Sequence, residues 1–256
     1  MAANTHASTA ADRAAGRAQV PNRRERARAA MLEEIKQTAL ELMGDHGTTD
    51  VRFVDIARSM GLTAPALYRY FADRDELLTA MVVDSFDHLA ATLAAARDDV
   101  PADDLGGQLL AMCRAYRHWA SNSPQRFALI FGQPVPGYAA PQDGPTTEAA
   151  GRAMGILAGI VVSAIQRGEL RQPVVREVGT TLCALAANKA AEMGVDIPEA
   201  TYQAMLHTWA ALHGFTCLEV YGHFSWMDAA ARDELFTAQI RASAISGGLP
   251  VPGSAD

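Results

Sequence analysis

Residues 63–74 read Thr-Ala-Pro-Ala-Leu-Tyr-Arg-Tyr-Phe-Ala-Asp-Arg, a run in which hydroxyl and guanidinium donors crowd one short stretch. Such donors bond phosphate oxygens and base edges. On a helix, Leu67 and Phe71 fall on one inward stripe, leaving Ala64, Pro65, Ala66, Tyr68, Arg69 and Tyr70 outward or sideways. Two tyrosines and an arginine on so short a surface fit a helix seated in a major groove. Thr63, Tyr68, Tyr70 and Arg74 would then fix the register on phosphates, and Arg69 would read a guanine. Ala64, Pro65 and Ala66 offer only apolar contact, suited to thymine methyls or to shape readout. Tyr68 and Tyr70 also have a packing reading, which is the one adopted for Phe71.

The flanking sequence supplies the supports. Val51, Val54, Ile56, Ala57 and Met60 keep a helical spacing, Gly61 provides the left-handed exit, Thr63 is a suitable N-cap, and Pro65 is tolerated in a first turn. The result is a helix-turn-helix. Ahead of it, Met31, Leu32, Ile35, Ala39, Leu42 and Met43 form an amphipathic bracing helix over 26–43, ended at Gly44 and an Asp45-His46-Gly47 turn. Arg23, Arg24, Arg26 and Arg28 precede it. They read equally as a solvated helix start or as an arm reaching DNA, with Arg24 the contact candidate.

Ile56-Ala57, Gly61, Leu67-Tyr68-Arg69-Tyr70-Phe71 and Arg74-Asp75-Glu76-Leu77 together resemble the DNA-binding domain of TetR-family transcriptional regulators. The family's Ser or Thr cap of the second helix aligns with Arg52. Thr49 or Asp50 is then the substitute cap, and Arg52 becomes a phosphate candidate. The resemblance implies a homodimer on a double-stranded, inverted-repeat DNA operator, acting as a repressor that a small, apolar effector releases.

Composition is that of a globular chain: 256 residues, 49% apolar and 20% charged, with net charge −7. Residues 1–80 hold eleven basic and eleven acidic residues, which leaves eleven and eighteen for the remainder. The acidic excess therefore lies behind the helix-turn-helix, and the tip stays locally basic. Three widely spaced cysteines, Cys113, Cys183 and Cys217, suit reduced thiols in a cytoplasm. No signal-peptide core is present at the N-terminus, and the apolar run 156–165 is too short for a bilayer, so no membrane association is expected.

From Asp73 onward helical periods recur over 73–97, 105–122, 146–168, 177–193, 198–221 and 228–245, with a short 126–132 segment and no credible strand. The fold class expected is all-α: a three-helix DNA-binding domain over 23–72 and a helical effector-binding and dimerisation domain over 73–246, between disordered tails at 1–22 and 247–256. The Pro- and Gly-rich stretch 133–147 reads either as a gate over a pocket or as a surface loop. Asp73 and Thr146 or Thr147 are expected caps, and Gly151, Gly155 and Gly159 are expected at a tight core contact. Trp209, His213 and Gly214 within TWAALHGFTCLEVYGHF, together with PQRFALIFGQPVPGY, are similar to the Trp-His-Gly branch of the family. That resemblance covers 24–245 and places the dimer interface on 177–193 and 198–221, with Leu182, Leu185, Trp209, His213 and Phe215 as candidates. Tyr116, Phe127, Phe131, Met154 and Leu157 are the pocket candidates.

His207, His213 and His223 lack metal-ligand spacing, and neither a phosphate loop nor a nucleophile elbow occurs. No metal, cofactor or catalytic residue is expected. The alternative is an all-α ligand-binding protein or enzyme in which the helix-turn-helix only packs.

Overall fold

The computed structural model describes residues 22–249 and 251; the tail residues 1–21 and 252–256 fall outside it. Among the described residues there are ten helices and no strand. Helix α1 (Arg23–His46) starts on a capping box: the Asn22 side chain accepts from Glu25 N–H, and the Glu25 carboxylate accepts from Asn22 N–H at 2.8 Å. Asn22, which the sequence places in the tail, is thus the cap that starts α1. The helix runs through Gly44 and stops at Gly47, whose φ of 63° is the left-handed exit.

Helix α2 (Phe53–Ser59) and the single turn α3 (Ala64–Leu67) flank Gly61, at φ 68°, as the sequence predicts, but α3 ends at Leu67 and residues 68–70 continue as a turn where a helix through Phe71 is expected. Neither has the expected side-chain cap: Arg52 and Thr63 hold the capping backbone positions, but their side chains make no capping bond. One helical turn is unstable in isolation, so packing must hold α3. Leu67 and Phe71, at 0% and 5% exposure, sink into the three-helix core beside Ile35, Ile56 and Ala57. Each such burial is worth about 1.5–3 kcal/mol.

Helix α4 (Arg74–Asp98) opens on the Asp73 cap, which accepts from Glu76 N–H at 2.8 Å. It packs against α5 (Leu105–Asn122), α6 (Pro124–Phe131) and α7 (Pro145–Arg167). Both α4 and α7 are long and apolar enough to cross a membrane, a length the contiguous run 156–165 understated. Here the two pack along one another. Pro145 starts α7 after Gly144 without a hydroxyl cap, and Thr146 is buried in the first turn, so the expected Thr cap is corrected. The glycine stripe is corrected as well: a Cβ added at Gly151, Gly155 or Gly159 would meet open space.

Helices α8 (Thr180–Met193), α9 (Glu199–Val220) and α10 (Ala229–Ser246) complete the body, with α9 packed on α5, α8 and α10. After α10 the chain does not leave the fold at 247. The Gly248 carbonyl accepts from Arg171 N–H at 2.8 Å, the Ser246 carbonyl accepts from Val174 N–H at 2.9 Å, and Leu249 is buried.

Candidate nucleic-acid interface and ligand cavity

The α3 turn presents the residues that its inward stripe leaves over. Thr63, Pro65, Tyr68 and Arg69 are exposed, and Ala64, Ala66 and Tyr70 are half-buried. Tyr68 is both exposed and packed: its ring centroid lies 5.1 Å from that of Phe53, so α2 supports it while the remainder of the side chain faces solvent. Tyr70 is covered from α1, where the Arg28 guanidinium carbon lies 5.4 Å from its ring centroid. Arg28 Nη1 also donates to the Arg69 carbonyl at 3.0 Å. Sequence reasoning left Arg28 as one member of a charge cluster, because the 41-residue separation gives no local signal.

Around this turn the basic side chains are exposed: Arg23, Arg24, Arg26 and Arg28 on the first turns of α1, Arg52 at the N-cap of α2, Arg58 on α2, and Arg69. Arg52 donates to both Asp55 carboxylate oxygens, at 2.7 and 3.2 Å; this hydrogen bond raises the arginine's pKa and holds the Asp55 carboxyl below its usual range. Arg58, which the sequence reading passed over, is 80% exposed and 3.8 Å from Asp55.

Arg74 is elsewhere. It donates from Nε to the Val51 carbonyl at 3.0 Å, from Nη2 to Asp50 at 2.6 Å and from Nη1 to the Pro136 carbonyl at 3.3 Å. All three of its nitrogens are engaged within the protein, where they tie the start of α2 to the loop before α7. Tyr138 fastens the same loop to α4 through a hydroxyl pair with Thr79 at 3.0 Å.

In the C-terminal body, residues of α5, α7 and α9 line a cavity of about 260 Å³. Leu109 and Cys113 of α5 form one wall; Met154, Leu157 and Val161 of α7 and Thr201, Met205, Trp209 and Leu212 of α9 form others, and Leu249 also lines the space. Among the described residues no charged side chain lines it. Burial pushes the Cys113 thiol up to about 12, which keeps it neutral. Two of the five expected pocket residues, Met154 and Leu157, line this space. Tyr116, Phe127 and Phe131 do not. They form an aromatic nest whose Tyr116 ring lies 5.6 Å from Trp209, and Tyr116 and Phe127 are fully buried. The Tyr116 hydroxyl is hydrogen-bonded to His213 Nδ1 at 2.8 Å, and burial lowers the His213 pKa, favouring the neutral ring.

The five expected interface residues divide likewise. Leu185 is exposed and Leu182 half-buried. Trp209 and His213 stack on each other at 5.1 Å within the nest. Phe215 is corrected: it is buried inside this chain against Phe224 and Phe236, with the Arg117 guanidinium 5.5 Å from its ring. The signal available was helical position, since Phe215 lies across α9 from the exposed Leu206 and Ala210.

Residues 35–81 match the family described as bacterial regulatory proteins, tetR family, and residues 109–243 match the tetracyclin repressor-like C-terminal domain. This chain belongs to the TetR family. It is 34% identical over 214 residues to the HTH-type transcriptional regulator Rv1816 of Mycobacterium tuberculosis and to Mb1846 of Mycobacterium bovis, covering 82% of this chain and 90% of each relative. Among solved structures, the regulatory protein SCO4313 is 32% identical with a TM-score of 0.69, covering 88% of this chain and 98% of that one. RolR, solved with the ligand resorcinol, shares the fold at 14% identity and a TM-score of 0.50, covering 90% and 99%. As a TetR-family chain it is a DNA-binding transcriptional regulator rather than an enzyme. Among the described residues no group of three metal-ligating side chains comes together.

Proposed function

We propose that this regulator is a repressor that binds an inverted-repeat operator as a homodimer in the cytoplasm and leaves it when a small, uncharged, apolar molecule enters the cavity between α7 and α9. The observation that carries the reading is the pairing of an exposed α3 turn, braced from three sides, with an uncharged cavity whose α7 wall continues directly into the loop tied to the head by Arg74. RolR supports the ligand half at the level of fold, since its structure was solved with a small aromatic molecule.

Dimerisation is supported by the outer faces of α9 and α10. Leu206 and Leu218 on α9, Tyr221 at its C-cap, and Leu235 and Ile245 on α10 are exposed, with Ala210, Ala238 and Ala242 exposed between them. Rows of apolar and small side chains on two adjacent helices match a helix-to-helix interface. One such reader contacts few bases, whereas two, one helical turn apart, multiply affinity and specificity.

Selection of genomic fragments on the purified protein tests the reading. It should return an inverted repeat, bound with strong salt dependence by a dimer in sedimentation, and Leu218→Asp should yield monomers that lose the repeat. Recovery of fragments without a common sequence would sink the proposal.

A further inference from the structure

We infer that Arg28 is a positioning residue for sequence readout: from α1 it grips the Arg69 carbonyl and the Tyr70 ring, thereby aiming the Arg69 side chain, instead of contacting a phosphate itself. The inference rests on the DNA-reading role proposed above.

The recognition turn is poorly self-supported. α3 has four residues, Thr63 makes no side-chain cap, and Arg69 lies beyond the last helical residue, where the backbone continues only as a turn. Leu67 and Phe71 anchor its inner face, and Tyr68 rests on Phe53. The backbone around Arg69 is held within the turn by Arg69 N–H to the Ala66 carbonyl at 3.3 Å and Tyr70 N–H to the Leu67 carbonyl at 2.9 Å. Arg28 adds a tie from outside the turn, donating from Nη1 to the Arg69 carbonyl at 3.0 Å while its guanidinium carbon lies 5.4 Å from the Tyr70 ring centroid. Among the described residues this is the one side-chain hydrogen bond to the backbone between Gly61 and Phe71. A planar fork that donates at its edge and stacks on its face can make both contacts at once, which an ammonium cannot. The side chains of Arg23, Arg24 and Arg26 make no hydrogen bond or ion pair among the described residues. They, rather than Arg28, are the free cations of that cluster.

The test compares wild type with Arg28→Ala, Arg69→Ala and the double variant on a duplex selected from genomic fragments and on a scrambled duplex of equal length, across a salt series. Arg28→Ala should lose about tenfold on the selected duplex, the combined worth of one hydrogen bond and one cation–π contact, while its affinity for the scrambled duplex stays unchanged. Its salt slope should match wild type, and it should relax preference at the same base pair as Arg69→Ala. The double variant should discriminate no worse than Arg69→Ala alone. Equal losses on both duplexes with a slope smaller by about one would make Arg28 a phosphate contact and overturn the inference. So would additive losses, or no loss. If wild type itself fails to prefer the selected duplex, the DNA-reading proposal fails, a result distinct from any of these.

Discussion

The Arg74 guanidinium donates to the backbone carbonyl of Pro136 at 3.3 Å, joining residues 62 positions apart in sequence. The same side chain holds Asp50 and the Val51 carbonyl, so the start of α2 and the loop leading into α7 share one anchor. Met154 and Leu157, on the cavity wall, lie on the helix that this loop begins. The loop into α7 and the DNA-reading head are therefore tied together at Arg74, the first residue of α4.

Arg74→Ala should accordingly act as a structural lesion. Loss of its hydrogen bonds is worth about 1–2 kcal/mol, or a few degrees in melting temperature for a chain of this size. Operator affinity should fall with it, while the salt slope stays that of wild type. A slope reduced by about one, with unchanged melting, would restore Arg74 to the phosphates.

Arg24 and Arg69 should separate cleanly. Arg24→Ala should weaken binding to every duplex alike and reduce the salt slope by about one. Arg69→Ala should relax preference at a single base pair by roughly tenfold to a hundredfold. Competition binding with point-substituted duplexes distinguishes the two.

Filling the cavity should separate ligand uptake from DNA binding. Ala158 faces the cavity, and Ala158→Phe would occupy part of its 260 Å³. Wild type should enhance the fluorescence of the uncharged probe N-phenyl-1-naphthylamine, and the variant should not, at unchanged operator affinity. Equal enhancement by both proteins would place the probe elsewhere.

Acid should loosen the C-terminal body through Glu219. Arg117 donates to its carboxylate at 2.6 and 2.7 Å, with Arg117 also bonded to Asp233 at 2.9 Å. The Arg117 hydrogen bonds hold the Glu219 pKa below its usual value. The unfolded chain therefore binds this proton first, and the stabilisation, present above a pH of about 4.3, is lost as pH falls through the lower folded pKa. Arg117→Met should cost about 3 kcal/mol at neutral pH by leaving the carboxylate short of partners, and should flatten the acid limb of the stability curve. Parallel wild-type and variant acid limbs would show that another group controls it.

The sequence alone determined what depends on neighbours along the chain. Helical periodicity, the left-handed glycine at 61, the Asp73 cap and the inward pair Leu67 and Phe71 all arise from contacts within about one turn, so they were legible together with the family motif. Helix ends were less so, because Pro145 at the start of α7 and Gly47 at the end of α1 displaced nearer and equally plausible signals. Tertiary structure decided which polar groups are free. Arg28 and Arg74 are both arginines near a recognition turn, and only partners 41 and 62 positions away show that each is committed within the protein. It also decided which aromatic side chains line space and which fill it. Trp209 and Phe215 share one helix, but neighbouring elements turn the first to a cavity and bury the second in the core, a difference set by helix packing and not by residue type.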